Sequence, residues 1–263
     1  MYNFEVVRPK SVADAVEMLS QEDAQPLSGG QTLIPTLKAR LAAPSVLVSL
    51  SGIDEMQGIC LSKGGDLCIG GGTTHVRVAK EAAAHYPALA SLAARIGDPA
   101  VRNRGTIGGS VANNDPSACY PAAVLGSGAT VVTNSREIAA DDFFQGMFTT
   151  ALEDGEIVTE IRFPIPQAAH YEKFLQPASR FPLVAAYVAK FSDGVRVAIT
   201  GASNDGVFRW SEAEAALSSD FSAAALDGLA ADSGDLINDL HGSGAYRAHL
   251  IGVMTKRAVV ALS

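Results

Sequence analysis

The chain has 263 residues, 48% of them apolar and 18% charged, enough to bury a real core and too apolar for a disordered segment. Its net charge of −8, with no block of Lys and Arg, argues against a nucleic-acid or anionic-membrane partner. Aromatic residues are only 6%, which favours a packed α/β or α+β body over an aromatic-rich sandwich.

The opening MYNFEVVRPK lacks an apolar signal core, and EVVRP reads as a short strand. Ser11 is the expected N-cap of a helix whose apolar positions are Val12, Ala15, Val16 and Leu19. QPLSGGQTLIP follows, then LKARL as a short helix and SVLVSL as a buried strand. Together they predict a small β-α-β unit ending near Leu50. DLCIGGGTTHVRVAKEA predicts a strand, a glycine turn and a helix from Thr73 or Thr74; the Gly70-Gly71-Gly72 run is read as a structural turn. Pro87 is expected at the first position of the next helix, with Leu89, Leu92 and Ile96 on its buried face.

RNRGTIGGSVANNDPS comes next, then a short helix from Pro121 and the strand ATVVT. The uncharged run over residues 116–135 is cut by two prolines and two glycines, so it reads as a helix and a strand rather than a membrane span. In GEIVTEIRFP, Ile157, Ile161 and Phe163 alternate with polar neighbours as in a half-buried strand. LVAAYVAKF and VRVAITGA flank Asp193-Gly194 as a hairpin. Ser211 and Glu214 form a capping-box pattern. A last helix, AYRAHLIGVMTKRAVVA, is expected to bury Tyr246, Leu250, Val253 and Val260.

Two motifs point to chemistry. LSGGQTLIP and RNRGTIGGS each hold a Gly-Gly pair flanked by the hydroxyls of Ser28, Thr32, Thr106 and Ser110. Glycine lets a backbone come close to a ligand, and consecutive N–H groups in such a turn can hold an anion. One turn suits one phosphate; two brought together suit a pyrophosphate. Neither matches a known phosphate-binding fingerprint, and either alone is compatible with an ordinary turn. Arg102 and Arg104 could reach phosphate or pair with Asp98 or a neighbouring subunit.

Cys60, Cys68 and Cys119 form no CxxC pair, so the chain cannot supply the ligands of an ordinary cysteine-bound iron–sulfur cluster; scattered thiols suit a reduced cytoplasm. His75, His85, His170, His241 and His249 have no zinc spacing, and no nucleophile set is visible. No metal ligand and no catalytic side chain is therefore expected.

The segments LSGGQTLIPTLKARL, IGGGTTH, IGDPAVRNRGTIGGSVANNDPSA, DFFQGMFTTALEDGEIVTEIRFP and YEKF occur in the order and spacing of a known family. Together they resemble the FAD-binding medium subunit of molybdenum hydroxylases, which is similar to the carbon monoxide dehydrogenase medium subunit and the xanthine dehydrogenase FAD domain. The resemblance is strong to about residue 200 and weaker beyond it. It implies an α+β fold: a PCMH-type, vanillyl-alcohol-oxidase-like FAD-binding domain of two α/β subdomains, then a smaller C-terminal domain with an antiparallel sheet and helices. The expected limits are 1–177, with subdomains of about 1–55 and 56–177, and 178–263.

The resemblance also implies that both glycine loops cradle the FAD diphosphate. Carried over by match, the cofactor-binding residues are Leu27, Ser28, Gly29, Gly30, Gln31, Thr32, Leu33 and Ile34 in the first loop. In the second they are Thr106, Gly108, Gly109 and Ser110, followed by Asn113 and Asp115. Ile96 and Val158 match apolar neighbours of the flavin ring. Lys173 lies two residues from Leu175, which aligns with a lysine near the flavin in xanthine dehydrogenase. Cys119 stands where several relatives have an acidic residue.

The implied role is electron transfer in the cytoplasm. Electrons would come from [2Fe–2S] clusters of a small partner subunit, fed by a large molybdopterin subunit, and pass through FAD to NAD, oxygen, a quinone or another acceptor. A dimer of heterotrimers is the implied assembly. A free-standing flavin-dependent oxidoreductase of the same fold and a non-catalytic assembly module are the alternatives.

Overall fold

The computed structural model describes all 263 residues. The first unit is a three-stranded parallel sheet in the order β1-β3-β2, built from β1 (Glu5–Val7), β2 (Ala24–Leu27) and β3 (Val46–Ser49). Helix α1 (Val12–Leu19) connects β1 to β2, and the Ser11 hydroxyl caps it by accepting from Asp14 N–H. Helix α2 (Leu33–Lys38) begins earlier than LKARL predicts. It leaves the Gly29-Gly30 turn at once and gives way to Arg40, which has a left-handed φ of 61°.

The second unit is a five-stranded antiparallel sheet in the order β4-β5-β10-β6-β7. Its strands β4 (Ile59–Leu61) and β5 (Leu67–Gly70) lead into α3 (His75–Glu81) and α4 (Pro87–Ala94), and Pro87 opens α4 as expected. Leu89 and Leu92 are fully buried on α4, each contributing about 2 kcal/mol by removal from water. Ile96 lies beyond the end of that helix, in the loop before α5 (Pro99–Arg102). Helices α6 (Ile107–Asn113) and α7 (Tyr120–Gly126) follow, then β6 (Thr130–Thr133), β7 (Glu137–Ala139) and α8 (Ala140–Phe143). A small hairpin of β8 (Phe144–Gly146) and β9 (Thr149–Thr150) precedes the central strand β10 (Val158–Phe163). An irregularity between Val158 and Glu160 shifts its register against β6. Ile157, just before the strand, packs into the core of the first unit and Val158 into the largest cluster, so both are buried despite adjacent positions.

The third unit is a four-stranded antiparallel sheet of β11 (Ala168–Lys173), β12 (Ala185–Lys190), β13 (Val195–Ser203) and β14 (Gly206–Arg209), in that order. Helices α9 (Ser211–Ser219) and α10 (Gly244–Val260) cover one face. The β12–β13 hairpin forms as predicted. Mixed helices and mainly antiparallel sheets make this the expected α+β architecture. No helix is long and apolar enough to cross a membrane.

Two local expectations fail. The Ser211–Glu214 capping box does not form, because the Glu214 carboxylate accepts instead from Val197 N–H and from Arg209. On α10, Tyr246 and Val260 are exposed and the buried stripe is Arg247, Leu250, Ile251, Met254, Ala258 and Val259. The Arg247 guanidinium turns that face inward by donating to the Leu183 and Gly201 carbonyls at 2.7 Å each and to Asp239 at 2.9 Å.

The largest hydrophobic cluster runs through both of the larger sheets. Leu67, Ile69, Leu92, Val131 and Phe163 belong to the second unit, while Tyr171, Ala185, Tyr187 and Ala198 belong to β11–β13.

Candidate functional site

The first glycine loop leaves β2 and turns into α2. Gly30 has a φ of +71°, a conformation that a side chain would strain, and Leu27 and Ile34 pack behind it. Facing it, the second loop crosses from α5 to α6. The two backbones meet: a Cβ on Gly29 would lie 2.3 Å from the Arg104 carbonyl oxygen and 2.6 Å from Gly105 Cα. Only glycine at position 29 permits this approach.

The loops differ in what they offer. The N–H groups from Gly29 to Leu33 donate to no protein acceptor, and α2 has no side-chain cap. In the second loop, Ile107 N–H donates to Thr73 O, Gly108 N–H to Gly71 O, Gly109 N–H to Thr106 Oγ1 and Ser110 N–H to Thr106 O. Those amides are committed, so only the first loop keeps a run of amides without a protein acceptor. Gly108 is glycine because its Cβ would stand 2.6 Å from Gly71 O. The Gly70-Gly71-Gly72 turn, read from the sequence as structural, thus backs the second loop.

Between the loops lies a cavity of about 730 Å³, within the usual range for a ligand site. Ser28, Gly29, Gly30, Gln31, Thr32 and Leu33 line it from the first unit. Thr106, Gly108, Gly109, Ser110, Asn113 and Asp115 line it from the second. Ile96, Val158 and Lys173 complete the expected set on its wall. Leu27 and Ile34 are absent from the lining and support the loop from behind.

Several lining residues escaped the sequence reading. Gly71 and His75 belong to IGGGTTH, whose triple glycine was the available signal. His75 is buried and packs against Tyr120 with the rings tilted and their centroids 5.2 Å apart. Burial, with the nearby Arg102 charge, lowers its imidazole to about 4, so the ring is neutral at physiological pH. Its Nδ1 has no hydrogen-bond partner.

Glu156 lines the cavity beside Ile157 and Val158. Its side chain is 3% exposed and accepts from Arg136, Thr133, Ser135 and Glu153 N–H. Those bonds, the Arg136 pair foremost, hold its carboxyl at about 2. This pins the turn that presents Val158, whose carbonyl oxygen would stand 2.1 Å from a Cβ on Gly71. Residues 179–182 also line the cavity, and no local pattern in the sequence marks them.

Around Ile96 the wall is held by cations. Lys173 donates to Arg95 O at 3.0 Å, and Arg102 donates to Ile96 O at 3.0 Å and Gly97 O at 2.8 Å. Arg102 therefore braces a cavity loop rather than pairing with Asp98, which caps α5 through Val101 N–H. Cys119 is buried on the same wall.

A long cavity with a run of free amides, an apolar stretch at Ile96 and Val158 and a buried ammonium fits a flavin dinucleotide: amides for the diphosphate, apolar walls for the ring.

Comparison with known proteins agrees. Residues 2–166 match the family model of the FAD binding domain in molybdopterin dehydrogenase. The chain is 36% identical to the carbon monoxide dehydrogenase medium chain of Afipia carboxidovorans, covering 98% of this chain and 96% of that one. It is 34% identical to the nicotine 6-hydroxylase medium subunit of Paenarthrobacter nicotinovorans, covering 96% and 94%. Among solved structures, a cyanide-inactivated Cu,Mo-CO dehydrogenase superposes with a TM-score of 0.89 at 34% identity, over 99% of this chain and 98% of that chain. Quinoline 2-oxidoreductase from Pseudomonas putida 86 gives 0.88 at 29% identity, over 99% and 96%.

Proposed function

The chain belongs to the family of the FAD binding domain in molybdopterin dehydrogenase and is an FAD-binding subunit of a heteromeric oxidoreductase of that type; from that premise we propose its partners and the roles of its residues. A small subunit with [2Fe–2S] clusters delivers electrons to it, and a large molybdopterin subunit carries out the substrate chemistry. Two such heterotrimers form the complete assembly. The reducing cytoplasm is its compartment, in keeping with three unpaired thiols, Cys60, Cys68 and Cys119.

The observation that carries the reading is that Gly29 meets Gly105 beside one cavity lined by both loops, where the N–H groups of Gly29 to Leu33 have no protein acceptor. In this reading Ser28, Gly29, Gly30, Gln31, Thr32 and Leu33 hold the diphosphate from one side, with Leu27 and Ile34 as their backing. Thr106, Gly108, Gly109, Ser110, Asn113 and Asp115 form the opposite wall, where side chains and shape act in place of spent amides. Ile96, Val158 and Lys173 meet the ring. Bound FAD supplies the exchange between one-electron cluster chemistry and two-electron delivery to an acceptor. The chain's own residues bind, orient and shield it, and none is assigned as a general acid or base.

The FAD-binding unit of two subdomains, about 1–55 and 56–177, precedes the C-terminal unit. The pairing of β11 with β12 supports moving that boundary from 177 back to the connection between β10 and β11, so that Ala168–Lys173 count with the C-terminal sheet.

Co-purification from the source, with a visible spectrum and metal analysis, tests all of this. Flavin with iron and molybdenum is expected. A protein that stays colourless after FAD addition refutes the cavity assignment. A yellow monomer that oxidises a substrate without either metal keeps the cavity but refutes the partners.

A further inference from the structure

Lys173 ends β11 on the cavity wall and is 4% exposed. An ammonium has three donors, yet Nζ meets one protein acceptor, Arg95 O at 3.0 Å. No carboxylate pairs with it. Its chain neighbour Glu172 faces His170, Glu156 is taken by Arg136, and Asp115 accepts from Ser117 N–H. Behind the wall Arg102 likewise donates to carbonyl oxygens, those of Ile96 and Gly97. Lys173 is thus a buried wall cation with no carboxylate within ion-pair distance, in a chain whose net charge is −8.

A buried cation without a counter-charge weakens a fold, and a neutral side chain of similar length would avoid that cost. What the position gains must come from the occupant of the cavity. The occupant has two parts that could answer a cation. The diphosphate is anionic whatever the oxidation state, and the free amides of Gly29 to Leu33 already suit it. The oxidised isoalloxazine is neutral, whereas the two-electron-reduced ring is a weak acid that ionises near neutrality. Lys173 grips the carbonyl next to Ile96, on the apolar stretch that suits the ring rather than the phosphates.

We propose that Lys173 makes the cavity prefer reduced, anionic FAD over neutral oxidised FAD and so raises the flavin potential of this subunit. The inference rests on the FAD reading above. Tighter binding of the reduced form shifts the couple by the ratio of the two affinities, and the field of one cation is strong where water is excluded.

The test compares the purified parent protein with Lys173→Met and Lys173→Arg. FAD dissociation constants, flavin midpoint potentials and the melting temperatures of the FAD-free proteins are measured for each. Lys173→Met should lose affinity for reduced FAD at least tenfold more than for oxidised FAD, a fall of about 30 mV or more for the two-electron couple. Lys173→Arg should keep most of the preference. The FAD-free Met variant should melt no lower than the parent, which also shows that it folds. An unchanged potential in Lys173→Met overturns the inference and leaves the FAD site standing. So does an equal loss of affinity for both oxidation states, which would assign the charge to the diphosphate. A parent that binds no FAD overturns the site itself.

Discussion

The hydroxyls of Ser28 and Thr106 lie 2.7 Å apart and tie the two glycine loops together across 78 residues of sequence. Thr106 has a second task, since its Oγ1 accepts from Gly109 N–H and caps α6. Thr106→Val should therefore cost more than Ser28→Ala: about 1–2 kcal/mol of stability from the lost cap, with the cross-loop bond in addition. The double variant should be less destabilised than the sum of the two, a coupling of about 1 kcal/mol in denaturant melts. Strict additivity would mean that the hydroxyl pair contributes nothing.

Gly29→Ala tests the closeness of the loops directly. Its methyl would enter the backbone of Arg104 and Gly105, and a backbone cannot rotate away as a side chain can. The loops must part. We expect about 1–3 kcal/mol of destabilisation and at least a tenfold loss of FAD affinity, read by fluorescence titration. Gly64→Ala, whose new atom would meet nothing closer than 3.6 Å, is the control and should bind FAD normally.

Acid stability should fall in two stages. His75 is held at about 4 against an ordinary 6.5, so between those values the unfolded chain binds a proton that the folded chain refuses, and stability drops as the pH falls. The window is worth on the order of 3 kcal/mol. Glu156 is held at about 2 against 4.5; its contribution is complete above 4.5 and is lost as the pH falls towards 2. Glu156→Gln should lower stability at neutral pH by about 1–2 kcal/mol, discounted because Arg136 reaches solvent. The gap from the parent should narrow below pH 4.5. A gap that stays constant from pH 7 to 3 would show that the carboxylate charge does not matter.

Arg247→Met removes the buried guanidinium that spans the Leu183 and Gly201 carbonyls and Asp239. The carbonyls then lose their donor, and about 3 kcal/mol of stability should go with it. Because Arg247 does not line the cavity, FAD affinity at low temperature should be unchanged. A large loss of affinity in a protein that is still folded would reveal coupling between α10 and the site.

Much of the site was legible because glycine carries its reason in the backbone. Gly29, Gly30 and Gly108 stand where a side chain cannot, and that constraint shows in the sequence as an unusual pair. The cap at Ser11, the proline opening α4 and the β12–β13 hairpin were legible for the same reason: each is decided within a few residues. The two failures in the C-terminal unit depended on tertiary partners. Glu214 abandoned its capping box for Val197 and Arg209, and α10 rotated its buried face to satisfy Arg247. Whether an amide of the second loop is free also depends on Gly71 and Thr73, which lie some thirty residues earlier. Periodicity cannot anticipate choices made by contacts of that range.

Tyr171 on β11 and Tyr187 on β12 are wholly enclosed, with ring centroids 6.3 Å apart, in the same hydrophobic mass as Leu92 of α4 and Phe163 of β10. The family match stops at residue 166, before either tyrosine. Cutting the gene there would not release a self-sufficient flavoprotein. It would unroof an oily seam and yield an aggregating fragment, so the two halves are expected to be inherited, swapped and engineered as one indivisible piece.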